Sequence, residues 1–148
     1  MVEATGDRRR GTARRGEAIA ALFLRLKGYR IEARNWRCPL GEIDIVAWDR
    51  DTLVFVEVKA RTGASAGAPE EAVNARKQAR LIQLAQAYLS RRRGEMPPCR
   101  FDVIAIERRR PFPRIRHLRA AFRADGLAWI GTRGRGPVCF VDRHQRLD

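Results

Sequence analysis

The sequence predicts a mixed α/β domain, a central sheet with helices packed on it. Three observations carry this. A stretch of helical period opens the domain, and three strand-like stretches follow it without an intervening helix. A second helical stretch then separates these from a fourth strand. At 148 residues, 45% hydrophobic and 32% charged, the chain suits one globular domain rather than a disordered segment.

Residues 1–13 are polar and basic and read as a flexible arm; the domain is expected over 14–124. Arg14–Lys27 reads as a helix ended by Gly28. Ile19, Leu22, Phe23 and Leu26 recur at helical spacing. Glu17 lies on another stripe, above Ala20, Ala21 and Leu24, which also faces protein and puts Glu17 in the first turn of a largely buried helix. Tyr29–Asn35 alternates apolar and polar residues as an edge strand does. Gly41–Trp48 and Leu53–Ala60 are the strongest strands, joined by the turn Asp49–Thr52. Residues 61–68 form a small-residue loop. Pro69 opens the second helix, with Glu70 and Glu71 at its positive end, and the helix runs to about Arg93. After Pro97 and Pro98, Arg100–Glu107 reads as a strand. Residues 108–122 suggest a strand through Ile115 and then a short helix, and 125–148 a weakly ordered tail.

The net charge is +14, which points to a polyanionic partner, most simply nucleic acid; the plain alternative is solvated charge that keeps the chain soluble. Among 31 cationic residues only Lys27, Lys59 and Lys77 are lysines. Lysine, unlike arginine, can lose its proton when desolvated. Cys38, Cys99 and Cys139 form no C-x-x-C pair, and His117 and His144 have no ligand spacing with them. That argues against a zinc site or disulfide framework and makes a reducing cytoplasm the expected compartment. Ala18–Leu24 is too short for a signal segment and is closed by Arg25 and Lys27, and no stretch is long enough to span a membrane.

The hairpin "GEIDIVAWDRDTLVFVEVKAR" holds the chemistry. With its turn centred on Arg50 and Asp51, Asp44 lies opposite Glu57 and Glu42 opposite Lys59. All four then share one face, and Ile43, Ile45, Ala47, Val54, Val56 and Val58 form the other. Opposed residues have Cβ atoms about 4.5–5.5 Å apart, so the two carboxylates repel, and burial adds to the cost. A divalent cation relieves both, and Mg²⁺ prefers such oxygen ligands. The plainer reading is a cross-strand Glu42–Lys59 ion pair, with Asp44 capping a loop and Glu57 meeting an arginine.

Asp44 and Glu57-Val58-Lys59, after Glu17 on the first helix, resemble the PD-(D/E)xK nuclease superfamily. "GEAIAALFLRLKGYRI", "RN", "GEIDIVA", "FVEVKAR" and "RFDVIAI", in that order, resemble the YraN family of bacterial endonuclease-like proteins, with archaeal Holliday-junction resolvases as more distant relatives. The similarity spans about residues 14–123. It implies a restriction-endonuclease-like αβββαβ core. It also implies that Asp44, Glu57 and the carbonyl of Val58 hold Mg²⁺ or Mn²⁺, that Lys59 activates the attacking water, and that Glu17 is an auxiliary acid. Ile43 stands where the superfamily name has proline. Metal-dependent DNA cleavage, on branched or damaged DNA among other substrates, is the expected activity. Arg61, Arg76, Lys77, Arg80 and the arginines of residues 8–15 are the expected nucleic-acid contacts. The alternatives are a non-catalytic nucleic-acid-binding module on the same fold and a scaffold whose basic face meets an acidic protein. The patterning sets no oligomeric state, a dimer being one option. Glu17 could also serve only the helix dipole, Asp102 reads as a brace between strands, and Trp36, Trp48 and Trp129 as packing residues.

Overall fold

A computed structural model describes residues 3–62 and 74–122. Two helices and five strands follow in the order α1 (Glu3–Leu26), β1 (Arg30–Cys38), β2 (Gly41–Asp49), β3 (Thr52–Thr62), α2 (Ala75–Ser90), β4 (Cys99–Arg108) and β5 (Arg114–Phe122). The expected αβββαβ order is present, with one further strand. The strands lie side by side in chain order. β3 and β4 are parallel, joined through α2, and the other neighbours are antiparallel. β1 is an edge strand, as its alternation predicts.

The helices cover opposite faces of the sheet. Ala20, Ala21 and Leu24 of α1 pack on Ile45, Ala47, Val54, Val56, Ile104 and Ile106. Leu81, Ile82, Leu84, Ala85 and Leu89 of α2 pack on Val46, Leu53, Phe55, Phe101 and Val103. Both faces of the central strands are therefore buried, which explains their nearly unbroken apolar runs.

Four expectations need correction. The first helix begins at Glu3, so residues 3–13 are helical where an arm was expected, and Glu17 sits well inside the helix. Its buried face is the small-residue one. Leu22 is 57% exposed and Leu26 80%, because only alanines let the helix lie close to the sheet. Gly16 shows how close: a Cβ there would stand 2.7 Å from that of Ala60 on β3. The second helix begins at Ala75, capped by Asn74, whose side chain accepts the Lys77 N–H at 3.0 Å. Pro69 and most of the expected 61–68 loop lie outside the described residues, as does the 125–148 tail. Finally, residues 114–122 are one strand. Ile115, Leu118 and Phe122 mimic helical spacing, yet each pairs with β4, and the register shift between Phe101 and Val103 absorbs the mismatch. The end of α1 is as read. Gly28, at φ +90°, closes it with Gly28 N–H donating to Arg25 O and Tyr29 N–H to Leu24 O.

Among the described residues, no helix is long and apolar enough to cross a membrane.

Candidate functional site

The β2–β3 turn fixes everything that follows. Asp49 pairs with Thr52, Trp48 with Leu53, Ala47 with Val54, Val46 with Phe55 and Ile45 with Val56, the register expected from the sequence. The ladder stops there, one step before Asp44 and Glu57 would pair. Across the next step the Val58 N–H donates to Asp44 Oδ2 at 2.8 Å, so a side chain takes the hydrogen bond a backbone carbonyl would accept. On its other side Asp44 faces Asn35, which has φ +51° and no partner in the β1–β2 register. Asp44 thus sits where both ladders are interrupted. The interruption also corrects the expected faces: Ile43 packs with the α2-side cluster, not beside Ile45.

The gap opens into a cleft of about 890 Å³. Glu17, Glu42, Asp44 and Glu57 all line it, as do Arg14, Arg34, Arg37, Lys77 and Arg80. Glu17, Asp44 and Glu57 form its floor, and Glu42, 34% exposed like Lys77, lies with the cations nearer the rim. α1 brings Glu17 to the floor through the close approach at Gly16. Glu17 is 8% exposed, and its Oε2 has no hydrogen-bond partner among the described residues. Oxygens of Glu17, Glu42 and Asp44 lie within 4.8 Å of one another.

Such crowding shows in the proton affinities. Burial, then the charge of Glu57, push the Asp44 carboxyl up to about 8; Glu17 and Glu42 add to this and the Val58 N–H opposes it. Glu17 is raised by burial and by Glu42, against the pull of Asn35, Arg34 and Arg14. Glu57 is held differently: its Oε1 lies 2.8 Å from Lys77 Nζ and 3.2 Å from Lys59 Nζ. The two lysines divide the charge unequally. Burial and the hydrogen bond with Lys77 lower Lys59, whereas for Lys77 the burial penalty is outweighed by hydrogen bonds to Glu57 and Lys59. Lys59 is the lysine readier to lose its proton.

The structure therefore brings Glu17, Asp44, Glu57 and Lys59 together. Val58 takes part through its N–H. The Glu42–Lys59 ion pair of the plainer reading is absent: Glu42 pairs with Arg37 at 3.2 Å and Lys59 with Glu57. Of the four predicted nucleic-acid contacts, Lys77 and Arg80 line the cleft, but Arg61 and Arg76 do not. Two cleft cations, Arg34 and Arg37, escaped the sequence reading. Arg34 and Arg37 reach the rim because β1 is irregular at Asn35 between them, which no periodicity signals. Lys77, among the expected contacts, touches Glu57 itself because α2 starts at Ala75, capped by Asn74. Glu42, expected opposite Lys59 on the shared face, lies with Glu17 and Asp44.

Away from the cleft, Asp102 braces the sheet as expected. Its carboxylate accepts from Arg100 twice, from the Ala120 N–H and from His117, and burial fails to offset these bonds, so it is held below its ordinary value. Trp36 packs edge-on against Tyr88, and Trp48 donates to Glu32. Trp129 lies outside the described residues.

Residues 16–106, more than half of the chain, match the family described as "Uncharacterised protein family UPF0102". The chain belongs to the UPF0102 family. It is 56% identical over 101 residues to a UPF0102 protein of Symbiobacterium thermophilum, covering 68% of this chain and 84% of that one. A UPF0102 protein of Syntrophotalea carbinolica is 50% identical over 111 residues, covering 75% and 90%. One from Anaeromyxobacter dehalogenans is 42% identical over 121 residues, covering 82% and 90%. The matched UPF0102 segment takes in the cleft carboxylates Glu17, Glu42, Asp44 and Glu57, with Lys77 beside them and Lys59 in contact with Glu57.

Proposed function

We propose that this UPF0102 protein is a metal-dependent endonuclease of PD-(D/E)xK type that hydrolyses phosphodiester bonds of DNA. The observation that carries the reading is that Asp44 and Glu57 both line the cleft, with Lys59 Nζ 3.2 Å from Glu57 Oε1. An ordinary ion-paired surface would not gather buried carboxylates whose repulsion is left uncompensated. Mg²⁺ or Mn²⁺ fits this donor set. All the donors are carboxylate or backbone oxygens, and Glu17 Oε2 is buried without a partner. Asp44 and Glu57, with the Val58 carbonyl, would hold the ion, which supplies Lewis-acid polarisation of a phosphate when bound.

The chain's own groups do the rest. Lys59, neutral more readily than an exposed lysine, takes a proton from the attacking water. Lys77 retains its charge next to Glu57 and faces a phosphate oxygen. Arg80 and the other rim arginines hold the flanking phosphates, an attraction that falls steeply with salt.

Cleavage of duplex, single-stranded, flap and four-way-junction DNA with Mg²⁺ or Mn²⁺ tests the reading. Wild type should cut at least one of them. Glu57→Ala and Lys59→Ala should abolish cutting while leaving DNA binding. A wild-type chain that binds DNA with a steep salt dependence and cuts none of them would be a binding module instead. One that ignores nucleic acid would leave the scaffold reading.

A further inference from the structure

At the C-terminal end of α1, about 15 Å of helix beyond Glu17, a second set of ionisable groups is linked through one imidazole. The buried Asp102 carboxylate accepts from His117 Nε2 at 2.8 Å. The other ring nitrogen, Nδ1, lies 2.8 Å from Lys27 Nζ. The His117 side chain is 4% exposed and meets the rings of Phe23 and Tyr29 edge-on, which fixes its orientation. Lys27 itself is open to solvent, with Nζ 5.2 Å from the Phe23 ring. None of these groups lines the cleft. Lys59 and Lys77 are both committed to Glu57. Of the three lysines, Lys27 is the one that joins exposure to a neighbouring base.

One proton lies between Nζ and Nδ1. Placed on Nδ1, it leaves Lys27 a free amine and sets the charged ring against the Asp102 carboxylate. The groups facing this pair are Tyr29 of β1, Asp49 of β2, Arg100 and Asp102 of β4 and Arg119 of β5. Burial, then the charge of Arg119, hold Lys27 below the ordinary lysine value, with Asp102 and Asp49 opposing. We propose that Lys27 is a site of covalent acylation by acyl phosphates, with His117 Nδ1 accepting the proton. The Nζ lone pair attacks the acyl carbonyl carbon and forms the C–N bond. The C–O bond to phosphate breaks, and its electron pair leaves with the phosphate. The proton lost from Nζ passes to Nδ1 and then to the released phosphate, so an amide and hydrogen phosphate result and nothing is oxidised. An anionic donor suits a chain of net charge +14 with Arg119 near the amine. The modification cancels one positive charge and is independent of the nuclease reading.

The test incubates the full chain with acetyl phosphate near neutral pH and follows acetylation of Lys27, Lys59 and Lys77 by mass spectrometry of peptides. Lys27 should react about tenfold faster than Lys77, the effect of one pH unit in amine availability. Its rate should also level off at a lower pH than that of Lys77, since Lys27 is lowered and Lys77 raised from the ordinary value. His117→Gln, with folding checked by circular dichroism, should slow Lys27 by about tenfold and leave Lys77 unchanged. Equal rates on the folded wild type, or Lys27 the slowest, would overturn the site. A Lys27 preference that survives His117→Gln would overturn the role of the imidazole. Should His117→Gln fail to fold, wild type in concentrated urea decides: the preference should vanish there, and its persistence would show that the folded surroundings of Lys27 do not cause it.

Discussion

The Val58 N–H donates to Asp44 Oδ2 at 2.8 Å, just past the last backbone pair, Ile45–Val56, between the two central hairpin strands. This one bond places the cleft. It holds the strand ends together without a continuous ladder, and it fixes a carboxylate beside Glu57, Glu17 and Glu42 rather than in solvent.

Asp44 sets a pH dependence. Its carboxyl titrates near 8 in the folded chain and near 3.8 when exposed. The folded state therefore retains a proton that the unfolded state has released. In the metal-free chain this group's contribution is fully present below pH 3.8 and is lost as pH rises towards 8, at up to about 1.4 kcal/mol per pH unit. Denaturant melts across this range should show wild type losing stability relative to Asp44→Asn. Mn²⁺ should reverse the trend, since binding expels the proton, and its affinity should rise with pH up to about 8.

Gly16→Ala should destabilise the fold, although alanine is the better helix former. Its Cβ would stand 2.7 Å from that of Ala60 and force α1 off β3. Overpacking of this kind costs about 1–3 kcal/mol. Because α1 carries Glu17, Mn²⁺ binding should weaken as well. Thermal melts should show Gly16→Ala rescued by adding Ala60→Gly, and a double mutant no more stable than Gly16→Ala alone would contradict the packing.

Asp102→Ala should cost about 3–5 kcal/mol, because it removes the main partner of Arg100, whose side chain is 2% exposed. Asp49 keeps one contact with that guanidinium at 2.9 Å, which favours the lower end. Urea unfolding measures the loss. Mn²⁺ affinity should change little once folded, since Asp102 lies outside the cleft.

The rim predicts a salt signature. Arg34→Ala, Arg37→Ala and Arg80→Ala should each weaken DNA binding and reduce the slope of log affinity against log salt by about one. Arg61→Ala and Arg76→Ala should do less, because neither lines the cleft. Fluorescence anisotropy at several salt concentrations separates the two groups.

Much of this arrangement was legible in the sequence, for identifiable reasons. The strands β2, β3 and β4 declared themselves because both their faces are buried and their runs are apolar. The turn at Arg50 and Asp51 set the hairpin register, so the approach of Asp44 to Glu57 followed from counting. What escaped depends on particular backbone conformations and on small residues. The face of Ala20, Ala21 and Leu24 was read as facing protein, but not that it alone packs and leaves Leu22 and Leu26 exposed; its small residues bring α1 so close that a Cβ on Gly16 would stand 2.7 Å from that of Ala60. Asn35 has a positive φ, Asp44 beside it has no ladder partner, and Ile43 packs on the α2 side, so the simple alternation of faces fails at the site itself. For the same reason Glu42 joins Glu17 and Asp44 instead of meeting Lys59.

The most direct measurement is an anomalous difference map from crystals of the full chain grown with Mn²⁺. An ion is expected within bonding distance of Asp44, with Glu57 turned from Lys77 towards it. A well-ordered cleft in millimolar Mn²⁺ with no anomalous peak, Asp44 still bonded only to the Val58 N–H, would contradict it.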